Sequence, residues 1–273
     1  MNFRPFEVRM RLAAPVIISY QRQPHPVHFD GFLTHVYVQL RTGRRFVEPE
    51  AAAQIAADLP LARCGGEEWF YCASAWEFTR GGVTADALVL TDSWKHWVRE
   101  PVGASGRDYW NEGSGIFRNV RKTLVLACAE EAVFRAVGDV DAVAAALEEY
   151  HRRWGLALGP KTAQGYGRVS GLEIRPLDRD LSVWREEADR SGTRRVPARY
   201  IPLKEAGRLG VSASFVVAGA VRPPYWLGPQ VPCAAPDPWR WYPLSLAEPV
   251  APEEAETMEE LLEGRGIADD GWD

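Results

Sequence analysis

One stretch of this sequence gathers glycines and cations in a single loop: residues 155–168 read G-L-A-L-G-P-K-T-A-Q-G-Y-G-R. Gly155, Gly159, Gly165 and Gly167 allow positive φ and leave the backbone bare, so successive N–H groups can approach an anion. Lys161 and Arg168 add positive charge, Thr162 adds a hydroxyl, and Tyr166 adds a face on which a base can stack. A plain connection needs about two to five residues, and glycine is entropically costly to order. The composition therefore favours contact with phosphate or nucleic acid over a bland connector. Nucleotide hydrolysis does not fit. A P-loop requires G-x-x-x-x-G-K-[ST] between a strand and a helix, whereas here Lys161-Thr162 follow Gly159-Pro160 and the order is helix, loop, strand. Pro160 also lacks an N–H that phosphates would need.

Histidine is the other residue type here that could do chemistry, as a general acid or base. His25 and His28 lie in a proline-containing loop with His35 just beyond. Their spacing fits neither a metal site nor a nucleophile–base pair, so a structural or solvent-exposed role is favoured, with His25 and His28 kept as the catalytic alternative. His96 and His151 have less context still. Cys64, Cys72, Cys128 and Cys233 form no C-x-x-C pair, which argues against structural zinc and a disulfide framework and for small buried hydrophobes. No metal and no cofactor are expected.

These residues need elements to carry them. Residues 6–12 alternate apolar and charged side chains, the period of a strand with one buried face, and residues 13–18 continue extended. Asp30 is expected to cap a helix with Phe32, Leu33, Val36, Tyr37 and Leu40 on one face, stopped by Gly43. Residues 50–59 read as a short helix. Residues 68–78 read as an aromatic strand whose rings fill a core more readily than they stack on bases. Periodicity weakens over residues 80–119, where Trp94, His96, Trp97, Arg99, Arg107, Tyr109 and Trp110 mix rings with cations, as in a projecting lobe. Residues 123–128 form a short apolar strand. Residues 139–154 form the clearest helix, capped by Asp139, with Arg152 and Arg153 at its C-terminal end and Gly155 beyond it. The glycine loop comes next, then a strand over 169–174. The order is compatible with a β-α-β-β-α-β ferredoxin-like domain in an α+β protein, spanning residues 1–177 with an insertion at about 80–119.

Residues 178–244 differ in texture. They hold many prolines, the basic cluster Arg190, Arg194, Arg195 and Arg199, a short apolar strand over 214–218, and the segment Arg222-Pro223-Pro224-Tyr225-Trp226. Residues 245–273 carry ten acidic residues and one basic, Arg265, a net −9, which leaves residues 1–244 at +4 within the overall −5 of this 273-residue chain. A mildly basic body with an acidic end is compatible with a local groove for nucleic acid rather than a basic coat. The acidic end is expected to be flexible and solubilising, with mimicry of nucleic acid or shielding of the groove as the other reading. No run approaches the roughly 18 apolar residues of a membrane-spanning helix, and the N-terminus has no signal region, so a cytoplasmic protein is expected.

The segment K-T-x-x-G-Y-G-R-V over residues 161–169 resembles the glycine-rich signature of the RAMP superfamily of CRISPR-associated proteins. A helix opening on His28-Phe29-Asp30, a basic stretch, and the P-P-Y-W segment after the loop sharpen the likeness. Together they resemble the Cas5-like RAMP subunit of type IV CRISPR systems, over most of residues 1–235. The resemblance implies a ferredoxin-like (RRM-like) domain with an inserted thumb-like lobe and a C-terminal extension rich in loops and short strands. It implies a non-catalytic subunit that holds the 5′ handle of the guide RNA (crRNA), with backbone and large subunits as partners and target DNA met indirectly. On the matching positions RNA contact falls to Gly159, Lys161, Thr162, Gly165, Tyr166, Gly167 and Arg168, to Arg118, Arg121 and Lys122 at the base of the lobe, and to Arg194, Arg195, Tyr225 and Trp226. Two alternatives stand beside it: a RAMP endoribonuclease that matures guide RNA using His25 or His28, and a ferredoxin-like interaction protein without RNA.

Overall fold

The computed structural model describes residues 3–20, 26–44, 47–66, 68–79, 87–92, 120–189, 192–213 and 215–236. Along the chain run β1 (Arg4–Leu12), β2 (Val16–Tyr20), α1 (Phe29–Thr42), α2 (Pro49–Ala57), β3 (Arg63–Cys64), β4 (Phe70–Tyr71), β5 (Glu77–Thr79) and β6 (Ala87–Asp92). They are succeeded by β7 (Val120–Ala127), β8 (Glu131–Gly138), α3 (Val140–Trp154), β9 (Val169–Pro176), β10 (Trp184–Asp189) and β11 (Gly192–Pro197). The last are β12 (Ile201–Pro202), α4 (Leu203–Leu209), β13 (Phe215–Gly219) and β14 (Val231–Ala235). The result is a mixed α/β protein with several antiparallel sheets.

The central sheet has four strands in the order β5-β8-β1-β9, all neighbours antiparallel. Helix α1 lies in the connection from β1 to β5, and α3 in the connection from β8 to β9. The alternation in β1 sets the two faces of this sheet. Phe6, Val8 and Met10 are fully buried in the core that also takes Phe29 and Leu33 of α1, Leu147 of α3 and Phe134 of β8. Phe134 stacks on Phe32 at 6.1 Å and lies 5.3 Å from Phe29, so aromatic packing locks α1 to the strand beneath it. Asp139 caps α3 by accepting the Ala142 N–H at 3.1 Å, and Gly155 closes it at φ 76°.

Strands β2, β7 and β6 form a second sheet, β12, β14 and β13 a third, and β10 and β11 a separate ribbon. A second core under the C-terminal strands joins Val183, Ile201, Ala206, Val221 and Cys233 to Phe70 and Cys72, so the chain after residue 177 shares its interior with the part before it. Among the described residues no helix is long and apolar enough to cross a membrane.

Several expectations need correcting. Asp30 does not cap α1: His28 occupies the cap position without a side-chain bond, and the Asp30 carboxylate is spent on a buried arginine instead. The aromatic stretch over 68–78 is not one strand. It breaks into β4 and β5 with single bridges at Ala73 and Ala75 between them, because Ala62, Arg135, Val27 and Ala198 each take part of its backbone pairing. Its rings do fill the core: Phe70, Tyr71, Trp76 and Phe78 are buried. Of the strand expected over 123–128, residues 123–127 lie in β7 of the second sheet rather than in the central one; the central place belongs to β8, which the sequence reading missed. Residues 16–18 likewise start β2 of that second sheet. Cys64 and Cys72 are not separate hydrophobes but a disulfide joining the end of β3 to the residue just after β4, with their Cα atoms 5.8 Å apart. Cys128 and Cys233 are free, and only Cys233 is buried. His25, Arg118, Arg190, most of the expected lobe with its rings and cations, and the acidic end lie outside the described residues.

Candidate nucleic-acid interface

The glycine loop leaves α3 at Gly155 and returns as β9, and its neck is zipped by backbone. Leu158 N–H donates to Gly167 O at 2.9 Å, Val169 N–H to Leu156 O at 2.9 Å, and Gly167 N–H to Pro15 O at 2.8 Å. Gly155, Gly159, Gly165 and Gly167 all have positive φ, and so does Lys161 at 58°. They are not equivalent. A Cβ on Gly167 would overlap the Leu158 carbonyl, and one on Gly159 would lie 2.7 Å from Ile17 O, whereas a Cβ on Gly155 or Gly165 would meet nothing within 4 Å. Two glycines therefore let backbone pack on backbone, and two face open space.

The expected ladder of bare amides is partly used up. Residues 162–164 make a single 3₁₀ turn in which Gln164 N–H donates to Lys161 O at 2.8 Å and Gly165 N–H to Thr162 O at 3.0 Å. With the Gly167 N–H on Pro15, those amides are unavailable to an anion, and the loop's contribution shifts to side chains. Lys161 is half-buried, Tyr166 half-buried and Arg168 exposed. No described residue pairs with Lys161.

Lys161 stands on a groove of about 1500 Å³. Gly159, Lys161 and Thr162 line it with Trp154 at the end of α3, and so do Phe215, Tyr225 and Trp226, so the glycine loop and the P-P-Y-W segment share the same space. Among the described residues no aspartate or glutamate lines it. Three of its rings are open to solvent: Trp226 is 73% exposed, Trp154 47% and Phe215 39%. A cation without a counterion beside exposed rings can hold phosphate and base together.

A buried hub anchors the P-P-Y-W segment. Arg199 and Asp30 are both fully buried, and the guanidinium reaches Asp30 Oδ2 from Nη1 and Nη2 at 3.3 Å. Its five N–H groups are shared among further acceptors: Nη1 also donates to the carbonyls of Tyr71 and Ala73 (2.9 Å), Nη2 to Val221 O (2.9 Å) and the Tyr225 hydroxyl (3.3 Å), and Nε to Tyr200 O (3.2 Å). Only arginine has enough donors for this set. Tyr225 in turn donates to Asp30 Oδ1 at 2.6 Å, and Gly31 N–H donates to the same oxygen at 2.9 Å. Glycine is needed at 31 because a Cβ there would stand 2.8 Å from the Tyr225 ring. Burial raises the Asp30 carboxyl, while Arg199, Tyr225 and the Gly31 N–H all favour its anion. Burial and then the neighbouring Asp30 push the Tyr225 hydroxyl well up, so it stays a donor. Tyr225 thus turns its hydroxyl inward and leaves Trp226 outward at the groove.

His28 sits against this hub. It is buried, its Nε2 accepts the Tyr200 N–H at 3.4 Å, and its ring packs 4.9 Å from Tyr200 and 5.0 Å from Tyr225. Burial, then the Arg199 charge, lowers its pKa well below 6.5, which keeps the imidazole neutral. A base already accepting a backbone proton and closed off from solvent is poorly placed for proton transfer to RNA.

The other basic candidates lie elsewhere. Arg195 stacks over Trp184 at 4.0 Å and donates to Leu209 O at 3.1 Å, and Arg194 lies 3.9 Å from Glu187. Both are on β11, away from the groove lining. Arg121 and Lys122 fall in β7 opposite Thr91 and Leu90 of β6. Sequence reasoning singled out Asp30 as a cap and Arg199 as one of a basic cluster, but missed that they meet each other beside Gly31. The pairing of a helix-start Asp-Gly with one arginine in a basic cluster was the available signal, and nothing in sequence spacing joins residues that far apart.

Residues 4–234 match the model of one protein family, described as CRISPR type IV associated protein Csf3. A search of the curated proteins found no match.

Proposed function

The chain belongs to the Csf3 family of CRISPR type IV associated proteins, and we propose that it serves as a non-catalytic guide-RNA-binding subunit of a type IV effector ribonucleoprotein. In this reading it holds the 5′ handle of the guide RNA, caps the backbone subunits beside a large subunit, meets target DNA only through that assembly, and works in the cytoplasm. The observation that carries it is the groove shared by the first half of the glycine loop, Gly159 to Ala163, and the P-P-Y-W segment, lined by Lys161 and exposed rings and, among the described residues, by no carboxylate; Gly165, Tyr166, Gly167 and Arg168 are not part of that lining. The central sheet is read as the ferredoxin-like RAMP domain; the antiparallel order β9-β1-β8-β5, with a helix in each crossover, supports that reading. The buried neutral His28 supports a holding role over a cutting one.

Within the set of expected contacts, the groove separates Gly159, Lys161, Thr162, Tyr225 and Trp226, which line it, from Gly165, Tyr166, Gly167 and Arg168 farther along the loop and from Arg194 and Arg195 on the ribbon. Titrating the protein with the 5′ segment of repeat-derived guide RNA over a range of salt tests the reading. Binding should weaken as salt rises, with a slope of about 0.7 per neutralised phosphate on single strands; a flat response contradicts it. Incubation with repeat RNA in the absence of metal should leave the RNA intact. Cleavage that disappears in His28→Ala or His25→Ala with the fold preserved would favour the endoribonuclease instead.

A further inference from the structure

The last described residues, Ala235 and Pro236, themselves line the groove. The rest of the chain is not only acidic. Residues 239–246 read W-R-W-Y-P-L-S-L, an apolar and aromatic run, and the glutamates come after it. The groove offers apolar surface for such a run. Trp154, Phe215 and Trp226 leave exposed ring surface along its length, and Val216 and Leu227 beside it are 59% and 46% exposed. Exposed apolar area of this kind on a folded chain marks a surface with an occupant. Strand β13, which carries Phe215 and Val216, is an edge strand, paired to β14 on one side only.

We propose that residues 239–246 of this same chain dock across the apolar wall of the groove and compete there with the guide RNA. Reach does not limit this. About 3.3–3.6 Å per extended residue gives the ten residues after Pro236 roughly 33 Å, longer than a groove of about 1500 Å³ is wide. Charge agrees. Residues 247–273 carry ten acidic side chains and one basic, so a docked apolar run delivers carboxylates to a groove whose described lining holds Lys161 and no acid. Tethering makes this docking intramolecular, so weak contacts suffice for high occupancy. The competition, though not the docking, rests on the RNA-binding reading.

The experiment uses the full chain with Trp154 replaced by the photo-crosslinking residue p-benzoylphenylalanine, an aromatic for an aromatic. Irradiation should join position 154 to a peptide containing residues 239–246 within a monomer, and excess guide RNA should suppress that product. Cross-links confined to residues 1–236, or joining two copies of the chain, overturn the proposal. A second full-length variant, Trp239→Ser with Trp241→Ser, should bind RNA more tightly. A strap seated nine times in ten lowers apparent affinity about tenfold, so its release should restore about tenfold. Unchanged affinity in that variant overturns the competition. If the parent and the variant both fail to bind RNA, the functional reading falls while the cross-link still decides the docking.

Discussion

Two charged regions of this molecule use arginine and lysine in opposite ways. On the face of the central sheet away from α1 and α3, cations and carboxylates alternate in a chain of ion pairs. Arg9 pairs with Glu7 and Glu131, Arg135 with Glu7 and Glu77, Arg185 with Glu77 and Glu187, and Arg194 with Glu187. The seam crosses β1, β8 and β5 and clamps the β10–β11 ribbon onto the sheet. In the groove, Lys161 has no counterion among the described residues and is flanked by exposed rings. A count of basic residues along the chain ranks the seam and the ribbon above the loop. Pairing reverses the ranking, because a guanidinium already answered by a carboxylate must give up that partner before it can hold phosphate.

The comparison can be broken most forcefully at the hub, where the answered charge is fully buried. Arg199→Met should leave the Asp30 carboxylate buried and uncompensated, at a cost of about 3–5 kcal/mol, seen as a drop of roughly 10 °C or more in Tm. Adding Asp30→Asn should recover part of that loss. A single arginine variant as stable as the parent would show that the hub is not what holds the P-P-Y-W segment at the groove.

Next in size is the contrast within the loop. Gly167→Ala drives a Cβ into the Leu158 carbonyl at a positive φ and should cost about 2–4 kcal/mol, whereas Gly165→Ala meets only the strain of φ 93° and should cost about 1 kcal/mol. Chemical denaturation of the two variants reads this directly; equal losses would mean that the loop neck is not packed backbone on backbone. Smaller again is Glu77→Gln, which removes one carboxylate from both Arg135 and Arg185. Partial solvent access limits its effect to about 1–2 kcal/mol of stability, and RNA affinity should not move.

Much of the frame was legible in the sequence. The strict alternation of β1, the capped and amphipathic α3, and the glycines that end α1 and α3 are local signals, and the structure has each of them. Strand β8 was not legible. Its run E-A-V-F-R-A-V-G lacks clean alternation, and it is held as a strand by pairing with β1 on one side and β5 on the other. The hub was illegible for a similar reason. Arg194, Arg195 and Arg199 look alike in a basic cluster, and only the fold reveals that Arg199 is buried on Asp30 while its neighbours lie on a ribbon. Tyr225 and Trp226 were read as a pair, and both line the groove, yet the Tyr225 hydroxyl turns into the hub while Trp226 stands open to solvent. The disulfide escaped because Cys64 and Cys72 are brought together by the short β3–β4 pairing rather than by a recognisable spacing.

The central claim, that the groove and not the arginine-bearing ribbon holds the guide RNA, is tested most directly by fluorescence anisotropy of 5′-handle RNA against two double variants across a salt series. Lys161→Gln with Trp226→Ala should weaken binding by about tenfold or more, since a stacked ring alone contributes about 1–3 kcal/mol, and should lower the salt slope by about 0.7. Arg194→Gln with Arg195→Gln should bind within about twofold of the parent, with the slope kept. The account is contradicted if the ribbon variant loses affinity and slope while the groove variant binds like the parent.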